Sequence, residues 1–182
     1  MKKNIFLLLL PLLLCLAGCK KDDDQHTNPV DQLPPATQTG AGTFAALVDG
    51  KPFIDHSGGW FNCYYQYVDG GYYFNIRGVF QNQNTLDTFA LGTESKTISE
   101  GEILQLLERQ EGNAWGGGAF SLDINTLEFS FTDKEYTGEL IITKLDFINN
   151  IVSGTFWFDL ENPFTGERVE IREGRFDTLF TQ

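Results

Sequence analysis

The chain has 182 residues, 25 of them Asp or Glu and 13 Lys or Arg, for a formal net charge of −12. That balance argues against a nucleic-acid partner, because such binding rests on neutralising phosphates with Lys and Arg. It equally argues against a basic amphipathic hold on lipid head groups, and favours solubility and repulsion from anionic neighbours.

The first element is a leader. Lys2 and Lys3 precede an apolar run from Ile5 to Leu16, and the small pair Ala17-Gly18 follows. This is the pattern of a secretory signal peptide over residues 1–18. The run of 12 residues falls short of the roughly 20 needed to cross a bilayer as a helix. The tetrad Leu16-Ala17-Gly18-Cys19 resembles the lipobox of bacterial lipoproteins. The resemblance implies cleavage before Cys19, a diacylglycerol on its sulfur and an acylated new amine; three chains anchor stably where one does not. The alternative is ordinary cleavage near Ala17-Gly18, which leaves a free thiol.

Directly behind the cysteine stand Lys20, Lys21, Asp22, Asp23 and Asp24. A short Lys-then-acidic tag in this place looks like the export signal of lipoproteins displayed on the surface of some Gram-negative bacteria. The expected location is therefore the outer membrane, held through acyl chains on Cys19 and facing the exterior; its periplasmic face is the alternative. A bare run of like charge otherwise reads as a solvated spacer. Losing Lys2 and Lys3 with the leader takes the net charge from −12 to −14. Cys15 leaves too, so Cys63 remains as the one thiol and no intramolecular disulfide forms. An exported domain without such staples depends on its core.

Residues 19–43 read as a lipidated, disordered tether, since "QHTNPVDQLPPATQTGAG" is poor in apolar side chains and carries three prolines. Residues 44–182 then form one domain of common size. Within it the apolar period is two: Leu127, Phe129 and Phe131 alternate with Glu128, Ser130 and Thr132, as in a half-buried strand. Turn signals recur at Asp49-Gly50, Asp69-Gly70-Gly71, Asn149-Asn150, Thr165-Gly166 and Glu173-Gly174. The fold class is all-β: an antiparallel meander of about eight to ten strands, closed into a flattened barrel or a two-sheet sandwich.

Two hairpins carry a register. A two-residue loop at Asp69-Gly70 pairs Tyr67 with Tyr72, Tyr65 with Phe74 and Cys63 with Ile76, which puts the apolar set on one face. A loop at Asn149-Asn150 pairs Phe147 with Val152, Leu145 with Gly154 and Ile141 with Phe158. One segment dissents from the strand pattern. "ISEGEILQLLERQ" offers Ser99 as an N-cap with Glu102 three residues on, so a short helix near 100–110 is expected, with a strand from Ile103 to Leu107 as the alternative.

The C-terminal stretch is similar to a family of exported Gram-negative lipoproteins of unknown function. The phrases that carry the likeness are Ile142–Asp146, Ser153–Phe156, Gly174–Asp177, the tether motif Leu33–Gly40 and the hairpin Val48–Phe53. The resemblance implies an all-β exported lipoprotein and supplies no catalytic residue.

Chemistry is sparse. There is no G-x-S-x-G, H-E-x-x-H or S-x-x-K, and no cofactor-binding motif. His56 and Cys63 together fall short of the three or four ligands a zinc site needs, so no metal is expected. Arg175 and Asp177, at i and i+2, read as one arm of a cross-strand ion pair. Paired carboxylates could serve a hydrolase, but abundance alone does not single out a pair. The stronger candidate is a ligand face: the first hairpin's register turns Trp60, Asn62, Tyr64, Gln66, Tyr73, Asn75 and Arg77 outward, and Trp115 beside three glycines adds a mobile aromatic. Aromatic rings beside amide and guanidinium donors suit a glycan or protein ligand, although cross-strand aromatic pairs also occur for stability alone. The expected role is a non-enzymatic surface binding or structural module; a carrier of a lipophilic ligand in a barrel interior is the alternative, tested by an empty lumen of several hundred Å³.

Overall fold

The computed structural model describes residues 28–58, 61–81, 86–123 and 125–182. The leader, Cys19, the Lys20–Asp24 tag and Trp60 lie outside the described residues. Among the described residues eleven strands form one curled, mixed sheet: β1 (Thr43–Val48), β2 (Lys51–Ile54), β3 (Asn62–Val68), β4 (Gly71–Gln81), β5 (Leu86–Thr93), β6 (Ile103–Leu106), β7 (Ala114–Asp123), β8 (Thr126–Phe131), β9 (Gly138–Asp146), β10 (Ile151–Glu161) and β11 (Arg168–Leu179). The class is all-β, as the period of two requires.

The order across the sheet is β2-β1-β11-β10-β9-β6-β7-β5-β4-β3, with β8 added to β7. Two runs of hairpins, β3 to β5 and β9 to β11, are joined by β6, which pairs antiparallel with β9 and parallel with β7. The ends of the sheet curl toward each other. Tyr65 N–H donates to the Thr181 carbonyl at 2.8 Å, and Thr181 N–H donates to Cys63, so residues just past β11 clasp β3. At the other end the Asp55 carboxylate, following β2, accepts from Val79 N–H of β4.

Inside, the sheet closes on phenylalanine. Phe44, Phe74, Phe158 and Phe176 are nearly or fully buried, with Phe156 stacked 5.9 Å from Phe158 and 5.1 Å from Phe44. Glycines make room where these rings press on the backbone. A Cβ on Gly174 would fall 2.4 Å from the Phe156 ring, so a larger residue there has to displace it. The centre is thus packed with side chains.

The first hairpin has the expected register. Tyr67 pairs with Tyr72, Tyr65 with Phe74 and Cys63 with Ile76. Asp69 and Gly70 both have positive φ, 48° and 93°, the conformation that a two-residue turn needs to follow the strand twist. The second hairpin does not. Asp146 pairs with Ile151, so the turn has four residues, and a bulge between Ser153 and Gly154 shifts the rest, leaving Thr155 opposite Ile141. The Asp146 carboxylate explains this: it accepts from the N–H groups of Ile148 and Asn149 and from the Asn149 side-chain amide, which fixes a wider turn.

The helix expected near 100–110 is absent, and strand β6 stands in its place. Ser99 accepts from Glu102 N–H as in a helical first turn, but Gly101 at φ 82° ends it and Gly101 N–H donates to Ile142 of β9. From there burial alternates: Ile103 and Gln105 are exposed, Leu104 and Leu106 buried.

The tether also differs from expectation over residues 28–42. Asn28 caps a 3-10 turn, Pro29–Gln32, and Leu33 is buried against Ala45 and Leu47. The following stretch is held by Asp177 of β11, which receives the Thr37 and Thr39 hydroxyls and the N–H groups of Thr39, Gly40 and Ala41. Asp177 therefore makes no ion pair with Arg175, contrary to the reading of "GRFD"; Arg175 instead pairs with Glu173 and reaches the Pro34 carbonyl.

Candidate functional site: a trough on the outer face of the sheet

Strand pairing lines up two rows of outward residues. One row is Tyr64, Asn75, Gly92, Trp115, crossing β3, β4, β5 and β7; the next is Asn62, Arg77, Ala90, Gly117, Phe131, continuing onto β8. The middle of each row is small. Ala90, Gly117 and Ala119 therefore floor a trough of about 230 Å³, with Asn75 and Arg77 on one side and Trp115, Phe129 and Phe131 on the other. The period of two places these residues on one face; the small side chains on β5 and β7 leave the space between the walls.

Six of the expected face residues are thus together on the outer side: Asn62, Tyr64, Gln66, Tyr73, Asn75 and Arg77. Asn62 and Arg77 are exposed, and the other four are half-buried. Asn75 and Arg77 line the trough itself, while Gln66 and Tyr73, paired with each other, lie farther along toward the hairpin turn. Trp115 is on the same face but is not the mobile ring expected. It belongs to β7, is 5% exposed, and its Cε2–Cζ2 edge lies so close over Gly92 that a Cβ there would fall 2.5 Å from Cζ2.

What pins Trp115 is a residue outside the sequence-based set. The guanidinium of Arg109 sits 4.6 Å from the Trp115 ring centroid and 5.2 Å from that of Phe131, and its Nε donates to Glu94 at 2.7 Å. Such a cation over an aromatic face is attracted by the ring quadrupole. The loop bearing Arg109 is tied down by Gly112 N–H to the Glu94 carbonyl, and by the Thr132 hydroxyl donating to Leu107. Among the described residues, the Trp115 indole Nε1 is buried with no hydrogen-bond acceptor. A buried donor left unpaired costs about 1–3 kcal/mol. Tyr64, close by, has its phenol pushed above the usual range, first by burial and then by the Glu94 charge, so it stays a donor as well as an acceptor.

Strand β8 supplies the correction with most consequence. Leu127, Phe129 and Phe131 alternate as expected, but their face is the outer one. Phe129 is 63% exposed, opposite Ala119, and Leu127 is exposed beside it. Among the described residues β8 pairs with β7 alone; Leu127 and Phe129 stay exposed, and Phe131 is half-buried beneath the Arg109 guanidinium. The signal for the floor was present in the sequence as Ala90 on β5, and Gly117 and Ala119 at i and i+2 on β7, small residues on neighbouring strands. The position of Arg109 had no such signal, because it arrives from a loop.

The remaining chemistry-bearing side chains do not converge. His56 is exposed, whereas Cys63 is buried in the core opposite Ile76, and burial raises its thiol far above the ordinary range. No protein family model, curated protein or solved structure matches this chain.

Proposed function

We propose that this protein is a lipoprotein of the outer membrane, acylated on Cys19 and displayed at the cell surface by its Lys20–Asp24 tag, and that it works as a non-enzymatic binding module for glycans. The observation that carries the glycan reading is the outer trough. Its floor lacks side chains beyond Cβ, and its walls offer exposed Phe129, the edge of Trp115 and the Asn75 and Arg77 donors. A sugar ring presents an apolar face for an aromatic side chain and hydroxyl oxygens that accept from amide and guanidinium N–H groups. Gly92 and Gly117 leave room for the Trp115 and Phe131 rings to lie down on the sheet, which shapes the wall a flat ligand would meet.

A glycan array probed with the purified full chain tests this. Binding to a subset of glycans, reduced about tenfold or more by Arg77→Ala and by Phe129→Ala, is the expected result. Phe129 is exposed, so Phe129→Ala should keep the wild-type stability within about 0.5 kcal/mol, and unfolding curves of both variants confirm that they are folded. Glycan binding that ignores both substitutions, or none at all, removes the reading.

A further inference from the structure

A second site lies on the inner side of the sheet, at the end where the β1–β2 and β10–β11 turns meet. It is an open cleft of about 530 Å³. Five phenylalanines line it: Phe53 of β2, Phe80 of β4, Phe89 of β5, Phe120 of β7 and Phe164 of the β10–β11 turn. The four on strands form a chain of contacts, with centroid separations of 6.1 Å for Phe53–Phe80, 5.1 Å for Phe53–Phe89 and 5.9 Å for Phe89–Phe120, the last two edge-on. Phe53, Phe89 and Phe120 are buried, and Phe80, 37% exposed, is the open ring at the rim.

Among these rings stands a carboxylate. Asp87 lies opposite Phe80 in the β4–β5 ladder and two residues before Phe89, hence on the inner face. It is half-buried, and burial pushes its carboxyl up, against a smaller downward pull from a hydrogen bond with the Ser121 backbone. Among the described residues no Lys or Arg forms an ion pair with it. The other charges on the cleft are Lys51, which is exposed, and Asp49, whose carboxylate accepts from Glu170 N–H at 2.8 Å.

Aromatic rings lining the same cleft as a carboxylate with no ion-pair partner among the described residues are the chemical complement of an organic cation. A neutral apolar ligand would leave Asp87 to be desolvated further without compensation, which is costly for an ionised group. An anionic one would add repulsion from Asp49 and Asp87 against the single Lys51. We propose that this cleft binds an organic cation with an apolar body, an amine or quaternary ammonium whose charged nitrogen sits beside Asp87 within the Phe53, Phe80, Phe89 and Phe120 rings. The site is separate from the outer trough, and its failure would leave the glycan reading untouched.

The test uses the full lipidated chain in nanodiscs of an uncharged glycolipid, with empty nanodiscs as the blank. Three probes of one size are titrated by ligand-observed NMR: benzyltrimethylammonium, its neutral isostere neopentylbenzene, and the anion phenylacetate. The ammonium should bind at least about tenfold more tightly than either other probe, and Asp87→Asn should remove that advantage. Phe80→Leu, at the 37% exposed rim ring, should weaken the ammonium several-fold and serves if Asp87→Asn does not fold. Equal affinity for the neutral isostere overturns the proposal. So does ammonium binding unchanged in both variants, or no saturable binding by any probe at millimolar concentration.

Discussion

Thr37 Oγ1 donates a 2.6 Å hydrogen bond to Asp177 Oδ2 across 140 positions of chain. Asp177 is fully buried, and Ser153 Oγ donates to its other oxygen at 2.8 Å. One carboxylate thus joins β10, β11 and the segment that precedes β1. It is a polar centre whose donors are almost all fixed on backbone or short side chains.

The first prediction concerns acid stability. Burial alone would push the Asp177 carboxyl up, but the Thr37 hydroxyl, the N–H groups of Thr39 and Gly40, and the Ser153 hydroxyl hold it well below the usual carboxylate range. A folded-state value below the unfolded one, about 3.9, contributes stability that is complete above that value and is lost as the pH falls toward the folded one. Urea midpoints should be flat from about pH 8 to pH 5 in this contribution and decline below about pH 4. Asp177→Asn should lower stability at pH 7 by about 2 kcal/mol or more, because donors then face an amide, and should flatten the acid decline. An identical acid slope in both proteins would show that other carboxylates govern it.

The same variant should free the segment it holds. The amides of Thr39, Gly40 and Ala41 donate to Asp177 in the native fold and should exchange slowly with solvent. In Asp177→Asn they should exchange orders of magnitude faster, while the core amides of Ile142 or Ile171 keep most of their protection. Unchanged protection at Gly40 would mean that the segment is held by Leu33 instead.

Opposite faces of the sheet should answer differently to truncation. Phe74 is 1% exposed in the core and Phe129 is 63% exposed on the outer face. Phe74→Ala should cost roughly 3–5 kcal/mol, and Phe129→Ala about 0.5 kcal/mol or less. Denaturant midpoints of the two variants measure this directly; a Phe129→Ala cost near that of Phe74→Ala would place its ring under cover.

The Cys63 thiol should be inert in the folded protein. It is 4% exposed, and burial holds it protonated well above the ordinary thiol range, whereas the thiolate is the nucleophile. Ellman's reagent at pH 8 should label it only at the rate of unfolding and fully in denaturant. Rapid labelling without denaturant would show that the β3 edge opens.

Anchoring is the last. Cys19→Ala should abolish metabolic acyl labelling, and replacing Asp22, Asp23 and Asp24 by Ala should retain labelling but reduce protease access on intact cells. With residues 28–42 bound to the sheet, Lys20–Thr27 spans at most about 28 Å, whereas the full segment to Thr43 would span about 80 Å. The domain should therefore ride close to the bilayer, as a distance measurement by fluorescence transfer to lipid dye would show. A mean separation beyond 50 Å or so would contradict this.

The sequence by itself determined which residues share a face. Periodicity of two in Cys63–Tyr67 and Tyr72–Ile76, with Asp69-Gly70 able to take positive φ at both positions, left one register for the first hairpin, because a slip of one residue would have turned every ring outward. It did not determine the second hairpin, where the Asp146 side chain competes for the turn's N–H groups and widens it. Nor did it decide which face of a strand is inside. Leu127, Phe129 and Phe131 alternate as a buried set would, yet among the described residues β8 pairs with β7 alone, and Leu127 and Phe129 stay exposed. Likewise "PVDQLPPATQTG" has too little apolar content to fold locally, and its order comes from a buried carboxylate supplied by β11. Local pattern encodes alternation and turn geometry within a few residues; closure of the sheet decides burial, and closure depends on partners far along the chain. Trp115, Arg109 and Arg77 become one site only after β5 has come to lie between β4 and β7.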